Sequence, residues 1–192
     1  MLGKDYEGQD CALARALEVI GERWTLLIVR DALYGVRRFN DFQAHLDIPK
    51  AILSARLNGL VSDGVLERLP DPERCGRHLY RLTQAGKDLW PVVHALLVWG
   101  DRHRQGNCRV FEHAACGSPL DDSGACPRCK VVPGPEDVRT EPLRRTSRDD
   151  PVARALRQPH RMLDPVPGPW RRPPAKATLI ALSGTDAVRT CP

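Results

Sequence analysis

No run of apolar residues in this chain approaches the roughly 18–20 needed to cross a bilayer as a helix. The opening stretch, MLGKDYEGQDC, lacks the apolar core of a secretory signal. The expectation is therefore a cytoplasmic protein with no membrane partner. A charge excess is also missing where a fold is expected. Residues 1–129 carry 17 basic and 17 acidic side chains, so the whole net charge of +5 belongs to residues 130–192. Total charge then says little about whether the folded part meets nucleic acid. Nor is there an internal repeat, a phosphate-cradling glycine loop, a nucleophile elbow or an H-E-x-x-H pair. His45, His78, His94, His103 and His160 are scattered, which suits surface or interface residues better than catalysts. An enzyme is not expected.

What is present is organised around residues 38–82. Arg38 to Leu46 reads as a short helix with Phe39, Phe42 and Leu46 on one side. Pro49 fits the start of a second helix, where its missing N–H costs nothing. In that helix Leu53, Leu57 and Leu60 form the buried stripe. Ala51, Ser54, Ala55, Asn58 and Ser62 fall on the other face, small enough to enter a major groove. Gly64 closes the helix. Val65–Leu69 and His78–Leu82 alternate as paired strands should, around a charged tip, PDPERCGR. Two short helices followed by a hairpin outline a winged helix-turn-helix. From Arg37 to Lys87 there are 9 basic and 6 acidic residues, a mild bias toward phosphate. The candidate DNA contacts are Arg38, Lys50, Ser54, Arg56 and Asn58, with Arg74, Arg77 and His78 reaching from the hairpin.

Flanking helices frame this unit. CALARALEVI places Leu13, Leu17 and Ile20 at helical spacing. TLLIVRDALYG is apolar on most faces and belongs at the centre of the core. Thr83 is the expected N-cap of a long helix carrying Leu89, Val93, Leu96, Leu97 and Gly100, with Trp90 and Trp99 beside them. One small domain cannot bury so much apolar surface, so part of it is expected to meet a partner.

In a reducing compartment, close cysteine pairs suggest metal or redox chemistry before structural disulfides. His113 and Cys116 are separated by two residues, as are Cys126 and Cys129. Two such pairs across a turn-rich segment match the ligand pattern of a zinc knuckle or ribbon. The expected ion is a structural zinc, with Cys108 able to replace His113. A redox pair at Cys126 and Cys129, or no role at all, are the rival readings. From Lys130 onward 11 of the 17 prolines appear among arginines, and the segment LIAL is too short to found a domain. That composition reads as a largely disordered or loosely attached tail.

CALARALEVIGERWTLLIVRDALYGVRRFNDFQAHL, then ILSARLNGLVSDGVLERL, then HLYRLTQAGKDLWPVVHALLVWGDRH, closely resembles the HxlR-type (MarR/HxlR-like) regulators of bacteria. The resemblance covers about residues 8–105. It departs at PDPERCGRHLYRL, where the family's proline and a valine or glutamate before the tyrosine are missing. It implies a homodimer whose N- and C-terminal helices form the interface and whose two recognition helices read a palindromic operator. It also places Cys11 where some relatives carry a thiol that senses oxidants or electrophiles. Packing in the dimer interface is the alternative for Cys11, and Cys75 at the hairpin tip is a second candidate thiol.

The expectation is an α+β, mostly α fold in three parts. Residues 8–105 form the winged helix-turn-helix with a long C-terminal dimerisation helix, 106–132 a zinc-knuckle-like segment, and 133–192 a Pro/Arg-rich tail. The expected function is sequence-specific transcriptional regulation, with a homodimeric repressor bound to double-stranded DNA and a small-molecule or oxidant effector. The rival from another class is an adaptor whose winged helix and knuckle both dock onto proteins.

Overall fold

The protein is described by a computed structural model, which covers residues 6, 8–104, 106, 109–143 and 147–166. Helix α1 (Ala12–Ile20) buries Ala14 and Ile20 and leaves Leu13 and Leu17 exposed. Helix α2 (Thr25–Leu33) is the central element, with Ile28, Val29 and Leu33 fully enclosed. Its Asp31 is also fully enclosed and is held by the guanidinium of Arg30 at 2.7 Å.

Helix α3 (Phe39–Leu46) turns through left-handed Asp47 into α4 (Lys50–Ser62). Leu53, Leu57 and Leu60 form the buried side of α4, while Ala51, Ser54, Ala55, Asn58 and Ser62 are exposed. Strands β1 (Leu66–Pro70) and β2 (His78–Leu82) pair antiparallel, Leu66 opposite Leu82 and Arg68 opposite Tyr80. The helix-turn-helix and hairpin therefore form where the leucine spacing and turn residues place them.

The helix after Thr83 is not continuous. The Gly86 N–H donates to the Thr83 hydroxyl, capping a single turn, α5 (Gln84–Lys87), and the chain restarts as α6 (Trp90–Arg104). Pro91 explains the break, because it has no N–H to give to the carbonyl four residues earlier. Along α6, Trp90, Val93 and His94 face the core, and Val92, Leu96 and Trp99 are exposed on the opposite side.

The chain beyond α6 departs most from expectation. Strand β3 (Arg109–His113) pairs with β4 (Val138–Pro142), which pairs with β5 (His160–Arg161). A short helix, α7 (Pro151–Ala155), is capped by the Asp150 carboxylate, which accepts from the Ala153 N–H. Residues 133–143 and 147–166 are thus folded, not a disordered tail, and the segment 106–132 does not stand alone because its β3 needs β4. Residues 167–192, including LIAL, lie outside the described residues. The physical reason is that composition hides position. Phe111, Val138, Val152, Leu156 and Met162 are too irregularly spaced to show a period, yet they share one core with Ile28, Phe42 and Trp90. Pro135 and Pro151 each sit in a first helical turn, where no N–H is required.

Hydrogen bonds sew the two units together. The Leu163 N–H donates to the Leu33 carbonyl at 2.8 Å and the Val166 N–H to the Gly35 carbonyl at 3.1 Å. Arg37 donates to the Leu163 carbonyl at 2.8 Å. His45 on α3 lies 3.0 Å from Asp150 and 3.8 Å from buried Asp31. Arg109 is buried, donates to the Thr140 hydroxyl and the Leu156 carbonyl, and stacks its guanidinium over Tyr34. This arginine does at the β3–β5 side of the core what an aliphatic residue cannot, because it also satisfies backbone oxygens there.

Candidate nucleic-acid interface and metal centre

The face of α4 away from its leucines presents Ser54 and Asn58 to solvent beside Ala51 and Ala55, and Lys50 is exposed in the first turn. Short side chains leave the backbone close to the surface of the helix. Hydroxyl and amide groups there can approach base edges, and Lys50 in the first turn can reach a phosphate. Arg56 differs. It is half-buried, and its guanidinium binds Glu22 at 2.8 Å, which ties α4 to the loop between α1 and α2.

The hairpin tip carries exposed Arg77, His78 and Cys75, with Arg74 half-buried. Gly76 takes φ +70°, which lets the tip turn tightly. The tip is closed by the Asp71 N–H donating to the Arg77 carbonyl at 2.8 Å.

Arg38, a candidate DNA contact, is engaged within the protein, where its guanidinium binds Asp71 at 3.0 Å and also Glu73. It sits at the N-cap of α3, so it fastens the hairpin to the helix pair. Burial pushes the Asp71 carboxyl up, but hydrogen bonds from Arg38 and the Glu73 N–H, with the charges of Arg38 and Arg74, outweigh it and hold it below its ordinary value. A depressed carboxylate pKa contributes stability above the unfolded value of about 3.9, and that contribution is lost as pH falls through the folded value. Arg38→Ala is therefore expected to lower stability by about 2 kcal/mol at neutral pH, the cost of an enclosed acceptor losing its partner. The difference from the unsubstituted protein should shrink below pH 4, which denaturant titrations at pH 7 and pH 3.5 will measure.

The second cluster lies where β3 ends. The His113 carbonyl accepts from the N–H groups of Cys116 and Gly117, and Gly117 takes φ +69°, so the first pair folds into a tight turn. The Lys130 N–H donates to the Cys126 carbonyl, and the Cys129 N–H approaches the Cys126 sulfur at 3.4 Å, making a second turn. These turns bring the ligand atoms of His113, Cys116, Cys126 and Cys129 within 4.8 Å of one another. Cys116 Sγ is 3.5 Å from Cys126 Sγ and 3.6 Å from His113 Nδ1. Tetrahedral zinc, with Zn–S of about 2.3 Å, sets its ligands about 3.5–4 Å apart. The four residues are thus fit to hold a metal ion. Burial pushes the Cys126 thiol up, but the Cys129 N–H, Cys116, His113 and the Arg128 N–H bring it down to about 6. Cys129, crowded chiefly by Cys116, is pushed up to about 11. A cation at the centre would favour the thiolate at both. The 3.5 Å approach of Cys116 and Cys126 crosses from one turn to the other, so the sulfurs meet between the two ligand pairs. Cys108 lies outside the described residues.

Cys11 is exposed at the N-cap of α1, where the backbone N–H groups of Ala14 and then Leu13 lower its thiol. Two arrangements escaped sequence reasoning. One is the Asp31–His45–Asp150 bridge, which spans residues far apart in the chain. The other is the contact between the metal-cluster loop and α6, through Asp122 on Arg102 at 2.6 Å.

The profile of the HxlR-like helix-turn-helix family matches residues 19–107. An HTH-type transcriptional regulator of Mycobacterium tuberculosis, Rv3095, is 42% identical over 147 residues, covering 73% of this chain and 90% of the relative. The chain belongs to the HxlR-like helix-turn-helix family. YdeP of Bacillus subtilis, also an HTH-type transcriptional regulator, is 30% identical over 107 residues, covering 54% of this chain and 84% of its own. The crystal structure of PA1607, a candidate transcription factor, superposes with a TM-score of 0.52 at 37% identity, covering 60% of this chain and 92% of that one. This HxlR-like protein is an HTH-type transcriptional regulator, and its family is one of regulators, not enzymes. The 147-residue likeness to the mycobacterial protein is longer than residues 1–107, so it continues into the β3–β5 unit.

Proposed function

We propose that the protein is a homodimeric repressor that binds a palindromic DNA operator. Helix α4 enters the major groove and the β1–β2 hairpin steadies it on the phosphates. The observation that carries this is the division of α4. Its leucines are buried, and its Lys50, Ser54 and Asn58 are exposed among alanines. Two half-sites a helical turn apart need two such helices at fixed spacing. Exposed apolar residues on α1 (Leu13, Leu17) and α6 (Val92, Leu96, Trp99) supply the surface that would hold two copies together. Repression then follows from occupancy, since the bound dimer blocks polymerase. The working place is the nucleoid in the cytoplasm, in keeping with the absence of any membrane-spanning helix among the described residues. Cys11, exposed at the N-cap of α1 with a lowered thiol, is the position at which an oxidant or electrophile would act as effector. His113, Cys116, Cys126 and Cys129 hold one structural zinc ion.

A salt series tests the DNA reading. Operator affinity should fall steeply with salt, because each neutralised phosphate releases a counterion. Arg74→Ala with Arg77→Ala should flatten the log–log slope by about 2 per protomer, one for each lost phosphate contact. Fluorescence anisotropy between 50 and 300 mM salt reads this out. An unchanged slope would remove the hairpin from the interface. No binding to any duplex in dilute buffer would leave the protein-docking adaptor as the reading.

A further inference from the structure

We propose that the metal ion is an effector as well as a staple: its presence fixes helix α6, and through α6 the spacing of the two DNA-reading helices. This rests on the reading that the His113–Cys129 cluster holds zinc and that α6 lies between two copies.

Three observations carry it. First, the loop between the two ligand pairs lies on α6. The backbone of Gly124 abuts His94, close enough that an added Cβ would meet its Nδ1 at 3.4 Å. Asp122 pairs with Arg102 one end further along the helix. Phe111, two residues before the ligand His113, packs edge-on against Trp90 at 5.1 Å and His94 at 5.8 Å. Second, α6 carries its exposed stripe on the opposite side. At about 100° per residue, Val92, Leu96 and Trp99 lie across the helix axis from Trp90 and His94. The cluster loop therefore backs the helix, and a partner copy would meet its front. Third, the loop has almost no apolar core of its own. Between residues 114 and 132, the described residues that are buried are Gly124 and Cys126, and Cys126 is itself a ligand. The ion takes the place of a core there, as it does in other small metal-held units.

Removing the ion leaves three sulfurs and an imidazole with no centre to hold them. The loop relaxes, His94 and Trp90 lose their cover, and α6 samples more than one setting. If one setting in ten still matches the operator, apparent affinity falls ~10-fold, since apparent affinity scales with the competent fraction. The ligand class is a borderline-soft divalent cation, for which three thiolates and one imidazole suit zinc.

The experiment uses the full chain and a duplex selected from a random-sequence pool by the zinc-loaded protein. Zinc per chain is measured by elemental analysis. Operator affinity and the dimer dissociation constant are measured before and after EDTA, and again after zinc is restored. The expected result is one zinc per chain, with operator binding ~10-fold weaker and the dimer weaker without it, both recovered on reloading. Gly124→Val separates this from general unfolding, because it keeps all four ligands and crowds His94. It should retain zinc and melt somewhat lower, by the backbone cost of a φ of +81°, while staying folded at the assay temperature, yet bind operator as weakly as the zinc-free protein. One zinc per chain with no change in affinity or dimerisation on its removal would overturn the coupling and leave the metal reading intact. Gly124→Val binding as tightly as the unsubstituted protein would also overturn the coupling. No zinc in the purified protein would overturn both.

Discussion

Ser54→Glu is expected to abolish operator binding, by at least ~100-fold at moderate salt, while the melting temperature stays within a degree or two. Ser54 is exposed on the face of α4 that carries Lys50 and Asn58, so the folded protein accommodates a larger polar side chain without strain. In a groove walled by phosphates, the added carboxylate meets like charge, and it must also shed water. A 100-fold loss is about 2.8 kcal/mol, within reach of one such repulsion. Ser62→Glu, at the far end of the same face, is the control and should cost far less. Anisotropy with a selected duplex measures binding, and calorimetry measures the melt. Unchanged binding by the Ser54 variant would remove α4 from the groove.

Gly35→Ala is expected to lower stability by about 3 kcal/mol, a melting shift of roughly 6–12 °C for a chain of this size. Gly35 takes φ +84°, and a Cβ there would lie 1.6 Å from the Asp164 carbonyl oxygen and 2.7 Å from its carbon. Backbone, unlike a side-chain tip, cannot swing aside. The segment after β5 that donates from Leu163 and Val166 would be pushed off the winged helix, and limited proteolysis should then cut within residues 160–166. Gly64→Ala calibrates the effect. Gly64 has a similar φ of +71° but no atom near its missing Cβ, so its substitution should cost only the backbone term of about 1 kcal/mol. Equal losses at the two positions would mean that residues 160–166 do not lie against Gly35.

The winged helix-turn-helix was legible because its signals are local. Leu53, Leu57 and Leu60 declare one face of a helix within eight residues, and Gly64 and Thr83 mark ends by chemistry that needs no distant partner. The grouping of His113, Cys116, Cys126 and Cys129 was legible for the same reason, since each pair closes its own turn. The internal role of Arg38 is not legible in the sequence, because its side chain answers to Asp71, thirty-three residues on and brought close by the hairpin. The folded region after residue 133 was hidden for a related reason. Val138, Val152, Leu156 and Met162 show neither a period of 2 nor of 3.6, and they become a core only against Phe111 and α2. A high proline and arginine content then resembled the composition of a chain with nothing to bury. Arg109 shows how far that impression misleads, since it lies inside the fold and bonds backbone there.

The β3–β5 unit grips α2 through Leu163 and Val166, α3 through Asp150, and α6 through the cluster loop, and it leaves the outer face of α4 uncovered. If α4 reads the promoter as proposed, natural selection can respell the recognised sequence by exchanging a few small residues on α4, with no repair needed at the seam. The lobe behind can likewise be remodelled toward a new stimulus while the recognised promoter stays the same. Target and trigger are free to diverge at separate rates along one polypeptide.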